Sequence, residues 1–273
     1  MKADSLFRKT FPKPKCVIGM IALPPLLGYP EFAGVNSVIE RALEDLNTLQ
    51  QGGVDGVCIE NDYDRPYQLT VSPEVLASFT HIATEVAGHA TIPVGVQVLL
   101  NDWRASLAIA KVIDATFVRL DFFVDRVRIK AGVIEPKPEA IIAYRKKIQA
   151  ENVALFTDVQ VKYSELLEPD KSLTTSTQQA IAHGADALIV SGKVTGDAPS
   201  LPDLQEVRNA ADEFPVLIGS GANPENLSAL FAYADGAIVG TALKNSMAPE
   251  EKVNRHRVIE FMRAANAIKM EAG

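Results

Sequence analysis

The sequence is poor in the residues from which disulfides, imidazole metal centres and membrane spans are built. Only two cysteines occur, Cys16 and Cys58, and both lie inside aliphatic runs, "KCVIGMIAL" and "GVCIEND". Each reads as a buried small hydrophobe rather than half of a disulfide, which suits a reducing cytoplasm. The four histidines, His81, His89, His183 and His256, fall in helical segments or at helix ends. A site made of imidazole is thereby disfavoured, and any metal would be a hard cation such as Mg²⁺ held by carboxylate oxygens. Positive charge is not in excess either: a formal net charge of −7 argues against general binding of nucleic acid or anionic lipid. No apolar stretch is long enough to cross a membrane, and the basic start "MKADSLFRKTFPKPK" lacks the apolar core of a signal peptide. The expected partner is a small molecule.

What the chain does have is a regular alternation. Short β-branched runs bounded by turn residues predict strands near 16–22, 55–60, 93–99, 115–121, 153–158, 186–191, 215–219 and 236–240. Segments of helical periodicity lie between them, starting at Ser37, Ser72, Asp102, Lys137, Thr174, Leu201, Asn223 and Pro249. Ser37 with Gly52, Ser72 with Gly88, and Thr174 with Gly184 have the positions of helix caps and stops. Strand and helix in strict alternation call for a parallel sheet covered by helices, and eight such units favour closure into a (β/α)₈ TIM barrel. Prolines stand after the first strand, in "MIALPPLLGYP", where a dinucleotide fold has its G-x-G-x-x-G turn. No composition break divides the chain, so residues 1–273 are expected to form a single domain, with 1–15 as an amino-terminal extension.

In such a barrel the chemistry sits where strands end, so the polar residue closing each apolar run is the informative one. Those residues are Glu60, Asn61 and Asp62; Asn101 and Asp102; Arg119 and Asp121; Asp158 with Lys162; and Ser191, Gly192 and Lys193. Carboxylates gathered at one mouth raise each other's pKa or recruit a cation. Asp102 also reads as a helix cap, and Arg119 as the neutraliser of Asp121 or Glu60. Lys193, in a desolvated mouth near Lys162, has the makings of a Schiff-base nucleophile; a solvated loop lysine, or one that meets a phosphate, is the other reading.

Two late glycine turns complete the pattern: Gly219-Ser220-Gly221 in "VLIGSGANPENL" and Gly240-Thr241 in "DGAIVGTALK". Glycine lets a backbone N–H approach an anion, and a helix starting after the turn points its positive end at the same place. Turns after the seventh and eighth strands are where many barrels hold a substrate phosphate. Asn223 and Pro224 have the order of cap and first helical residue. Two long connections, 24–36 and 122–136, are candidate lids, the second carrying Arg126, Arg128 and Lys130; a contact between copies in a homo-oligomer is the equal alternative.

With these residues in view, the chain resembles the BtpA family, which includes SgcQ-like proteins. The resemblance runs from "IGMIALPPLLGYP" through "GGVDGVCIENDYDRPY", "PVGVQVLLNDWRASLAIA", "FVRLD", "TDVQVKYS" and "ADALIVSGKVTG" to the two glycine turns. It implies a phosphate-binding barrel whose relatives include a photosystem I biogenesis factor and proteins resembling enzymes of carbohydrate metabolism. The family's His-Leu after the first strand is Ala22-Leu23 here, its Asn at the end of the fourth strand is Asp121, and its Lys-His after the fifth is Lys162-Tyr163. Together these readings predict an isomerase, epimerase or lyase for a phosphorylated metabolite such as a sugar phosphate. Glu60, Asp158 and Lys162 would share acid and base roles, and Arg119 would steady developing negative charge. An aldolase-type Schiff-base lyase and a non-catalytic assembly factor are the alternatives.

Overall fold

The computed structural model describes residues 5–248 and 251–271. Eight strands close into a parallel barrel: β1 (Cys16–Ala22), β2 (Gly56–Glu60), β3 (Val94–Gln97), β4 (Phe117–Leu120), β7 (Ala154–Asp158), β9 (Ala187–Val190), β10 (Val216–Ile218) and β11 (Gly236–Val239). β11 pairs back onto β1, with Cys16 opposite Gly236, which seals the cylinder. Every one of these strands overlaps an expected run. Side chains alternate between two apolar layers, as the two-residue period of a strand requires. Val17, Ile21, Val57, Ile59, Val96, Val118, Leu155 and Leu188 face the surrounding helices. Ile18, Cys58, Phe117, Phe156, Ile189 and Leu217 fill the interior. Gly95 makes room there, since a Cβ at that position would meet the Phe117 ring. Cys16 and Cys58 are free and buried, and burial pushes both thiols up, so neither is poised to react.

Residues 5–11 of the expected extension belong to the barrel's base. Helix α1 (Leu6–Thr10) is capped by Ser5, and its Phe7 and the following Phe11 are 1% and 2% exposed. Their rings lie 5.6 and 6.3 Å from that of Phe156, and Phe11 lies 6.0 Å from Phe117. Phe117 and Phe156 are themselves stacked at 4.5 Å. Four rings thus close the amino-terminal end.

Several caps differ from expectation. The helix after β1, α2 (Val35–Gly52), begins two residues before Ser37, behind Gly34, and ends at Gly53 in the left-handed conformation. Ser72 does precede α3 (Pro73–His89), but Gly88 lies inside that helix. Ser172, not Thr174, caps α6 (Leu173–Ala182), because its hydroxyl accepts from Thr175 N at 3.1 Å. Asn223 instead forms a turn, its Oδ1 accepting from Glu225 N and Asn226 N, and the short α8 (Leu227–Phe231) starts beyond it. Pro249 lies outside the described residues, and α9 spans Arg255–Glu271.

The 122–136 connection folds into a hairpin of β5 (Val127–Ile129) and β6 (Gly132–Ile134), extended by β8 (Glu165–Leu166) from the loop after β7. Phe122, Val127 and Val161 give this cap its own apolar centre. Arg126 and Arg128 pair with Glu135 at 2.8 Å and Glu165 at 3.0 Å, on the exposed side of the hairpin.

Candidate active site at the carboxyl end of the barrel

The same alternation that buries Phe117 and Phe156 sends the inward positions two residues later, Arg119 and Asp158, up into the mouth. Arg119 and Asp158 form a two-pronged ion pair, Nε to Oδ2 at 2.9 Å and Nη2 to Oδ1 at 3.1 Å, with side chains 6% and 0% exposed. Ser191 Oγ donates to Asp158 Oδ1 at 2.7 Å, so both carboxylate oxygens are taken. Burial opposes the charge on Arg119, but Asp158 and Asp121 outweigh it and hold the guanidinium protonated. The neutraliser expected for Asp121 or Glu60 therefore binds Asp158 most closely, because β4 and β7 are paired in a register that sets Arg119 beside Phe156.

The other two rim acids are shifted the opposite way. Asp121 lies 3.9 Å from Arg119 Nε and accepts from Gln97 Nε2 at 2.8 Å. Burial and repulsion from Asp158 push its pKa up to about 6. Burial and repulsion from Asp62 push Glu60 from an ordinary 4.5 up to about 8, opposed by Arg119 and Lys162. Glu60 makes no side-chain hydrogen bond among the described residues. A carboxyl group that is neutral near pH 7 and has no partner has the properties of a proton donor. Lys162, partly buried, acts on both Glu60 and Asp121 through space.

The glycine turns are tied to the loop after β9. Ser220 Oγ accepts from Gly192 N at 2.9 Å and donates to Asp197 O at 2.7 Å. Gly221 has φ +68, and a Cβ there would run into the Asp197–Ala198 backbone. Gly219 lies against Ser191 Oγ and Arg119 Nη2, at 2.5 and 3.1 Å from where its Cβ would stand. A cavity of about 850 Å³ opens beside these loops, lined among others by Lys162, Ser191, Gly192, Lys193, Gly221 and Asn223. Lys193 is exposed at its edge. Gly240 follows β11, the strand paired with β10, and lies near Met20, with Thr241 opening a short 3₁₀ turn, Thr241–Leu243.

The remaining polar residues hold loops in place. Asn61 donates to Asp64 Oδ2 at 3.0 Å and accepts from Leu99 N at 2.8 Å. Asn101 bridges both backbone groups of Phe122 at 3.1 Å. Asp102 caps α4 (Trp103–Val112) through Ala105 N and also accepts from Val71 N, while Asp62 accepts from Tyr67 Oη. His81, His89, His183 and His256 are in helices or at their ends, away from the mouth. No three His, Cys, Asp or Glu side chains converge as metal ligands among the described residues. No helix there is long and apolar enough to cross a membrane. Gln97 escaped the sequence reading: it is 4% exposed, and its Oε1 has no partner. Its position two residues after the inward Gly95 was the available signal.

A model of the BtpA family matches residues 13–267. The chain belongs to the BtpA family. The photosystem I biogenesis protein BtpA of Synechocystis is 36% identical over 259 residues, covering 94% of this chain and 90% of that protein. An uncharacterized protein of Archaeoglobus fulgidus is 35% identical, with 92% and 98% covered. Among solved structures, N-(5'-phosphoribosyl)anthranilate isomerase from Pyrococcus furiosus superposes with a TM-score of 0.58 at 14% identity, covering 93% of this chain and 99% of that one. An archaeal fructose 1,6-bisphosphate aldolase gives 0.60 at 14% identity, covering 96% and 98%. At such low identity the likeness shows that this BtpA-family chain has their barrel fold, and no more.

Proposed function

We propose that this protein is an enzyme that isomerises, epimerises or cleaves a small phosphorylated metabolite, with a sugar phosphate as the leading candidate. The observation that carries the reading is the pairing at one mouth of an uncharged, unpartnered Glu60 with the fixed positive charge of Arg119. Glu60 delivers a proton to the reacting carbonyl oxygen, and Lys162 or Asp121 takes one from the neighbouring carbon. Arg119, locked by Asp158, faces the oxygen where negative charge develops and needs no rearrangement to do so. Asp158 thus acts through Arg119, and its share of the acid and base work passes to Glu60 and Lys162. The phosphate goes to the glycine turns at Gly219–Gly221 and Gly240–Thr241, with Gly192, Lys162 and Lys193 at the edge. Asn61 and Asn101 shape the pocket through the loops they hold. No Mg²⁺ is required in this scheme. The buried free thiols favour the cytoplasm.

Thermal-shift screening of phosphorylated metabolites tests the binding half. A true ligand at about 100 times its Kd stabilises the fold by about 2.7 kcal/mol. Glu60→Gln should then abolish turnover of the ligand so found while leaving its affinity intact. No stabilisation by any phosphate, or full turnover in the variant, overturns the reading. A non-catalytic biogenesis role is the second reading, favoured by the 36% identity to a photosystem I biogenesis protein. It expects neither result.

A further inference from the structure

Lys244 is a charged group of the rim that the scheme above leaves unused. It follows the Thr241–Leu243 turn after β11, and β11 adjoins β1, whose other neighbour β2 ends in Glu60. Its backbone is pinned, N donating to Thr241 O at 3.1 Å and the residue bridging Val253. Only 6% of the residue is exposed. The amine lies 5.5 Å from the centre of the Tyr63 ring, and no hydrogen bond or ion pair reaches it among the described residues. Asp45, the carboxylate that acts on it most strongly, is already occupied: Oδ2 accepts from Arg41 Nε at 3.1 Å and Oδ1 from Val253 N at 2.8 Å. Burial lowers the pKa of Lys244 against the pull of Asp45, Glu60 and Asp62. Burial likewise drives Glu60 toward its neutral form. Glu60 thus acts on an amine that burial biases toward the uncharged state, and burial biases Glu60 the same way, which suits nucleophilic attack better than anion binding.

We propose that Lys244 is a nucleophile of this site, forming an imine with the aldehyde or ketone carbon of the substrate. The Nζ lone pair bonds to the carbonyl carbon while the C=O pair moves to oxygen, which takes a proton from Glu60. Nζ returns a proton to Glu60, and a second cycle of the same transfer releases the oxygen as water. The products are C=N and one water, with no oxidant or reductant consumed. Lys193 is exposed and Lys162 only partly buried, so neither matches the burial of Lys244.

The inference rests on the reading of the mouth as an active site, and its test separates the two. Pyridoxal 5'-phosphate and pyridoxal are offered in parallel, each imine is fixed with borohydride, and the modified lysines are located by peptide mapping. Lys244 should carry at least about ten times the label of any other lysine with both aldehydes. Preference for the phosphorylated probe reports on the phosphate cup alone. Labelling of Lys162 or Lys193 instead, an even spread over exposed lysines, or no adduct overturns the assignment. Lys244→Met, shown to be folded by its thermal transition, should lose the imine absorbance with pyridoxal; full retention also overturns it.

Discussion

Phe156 and Asp158 stand two residues apart on the same strand and point into the same barrel, yet their surroundings have opposite chemistry. Phe156 stacks on Phe117 above the α1 rings, whereas Asp158 meets Arg119, also two residues further along β4. Removing apolar area from water stabilises the lower layer directly. The upper layer puts charges into a dry place, where their attraction roughly offsets their desolvation. Such an arrangement is poor evidence of a contribution to stability and better evidence of a site, because hydrophobic residues of similar volume would serve the fold as well.

Three measurements would break or sharpen that contrast. The largest effects are expected from single truncations in each layer: Phe156→Ala should cost about 3–5 kcal/mol by opening a cavity. Arg119→Met should cost a similar amount, about 3–5 kcal/mol, by leaving Asp158 buried and unpaired. Only the second should be largely rescued by a partner change, Asp158→Asn, when both are measured by urea unfolding; rescue of neither would mean that the ion pair is not the feature that distinguishes the layers. Next comes the pH dependence of Glu60. Its folded pKa, about 8, lies above the ordinary 4.5, so its contribution is fully present below pH 4.5 and is lost as pH rises to 8. Glu60→Gln should therefore gain stability relative to the wild type between pH 5 and 8 in chemical denaturation, and a constant difference would show that Glu60 ionises normally. The smallest effect belongs to the cap: the Arg128–Glu165 pair is 57% and 66% exposed, and Arg128→Ala should change stability by about 0–1 kcal/mol, vanishing at high salt.

The barrel was legible because each strand opens as a short apolar run with its polar residues near the carboxyl end, and a run buried on both sides leaves that mark. The cap was not. Its strands span two or three residues, contain Arg128 and Glu165, and join segments far apart in the chain. In the site, strand-end position was enough to find Glu60, Arg119, Asp121 and Asp158, but not who pairs with whom, which depends on the register of β4 against β7. Asn61 and Asn101 show the limit of that rule: their amides hold Leu99 and Phe122, partners no local pattern reveals. Lys244 was hidden because its isolation depends on Asp45 being taken by Arg41 and Val253, from other parts of the chain.

The aromatic floor has a consequence for electrostatics at a distance. Phe7 and Phe11 keep solvent from entering beneath Phe156, and the permittivity around the Arg119–Asp158 pair is set partly by this short amino-terminal helix and the residue that ends it. An affinity tag or protease cut that dislodged the helix would leave the charged groups in place while weakening the field they exert. Preparations that differ only at that end would then differ in the strength of the site.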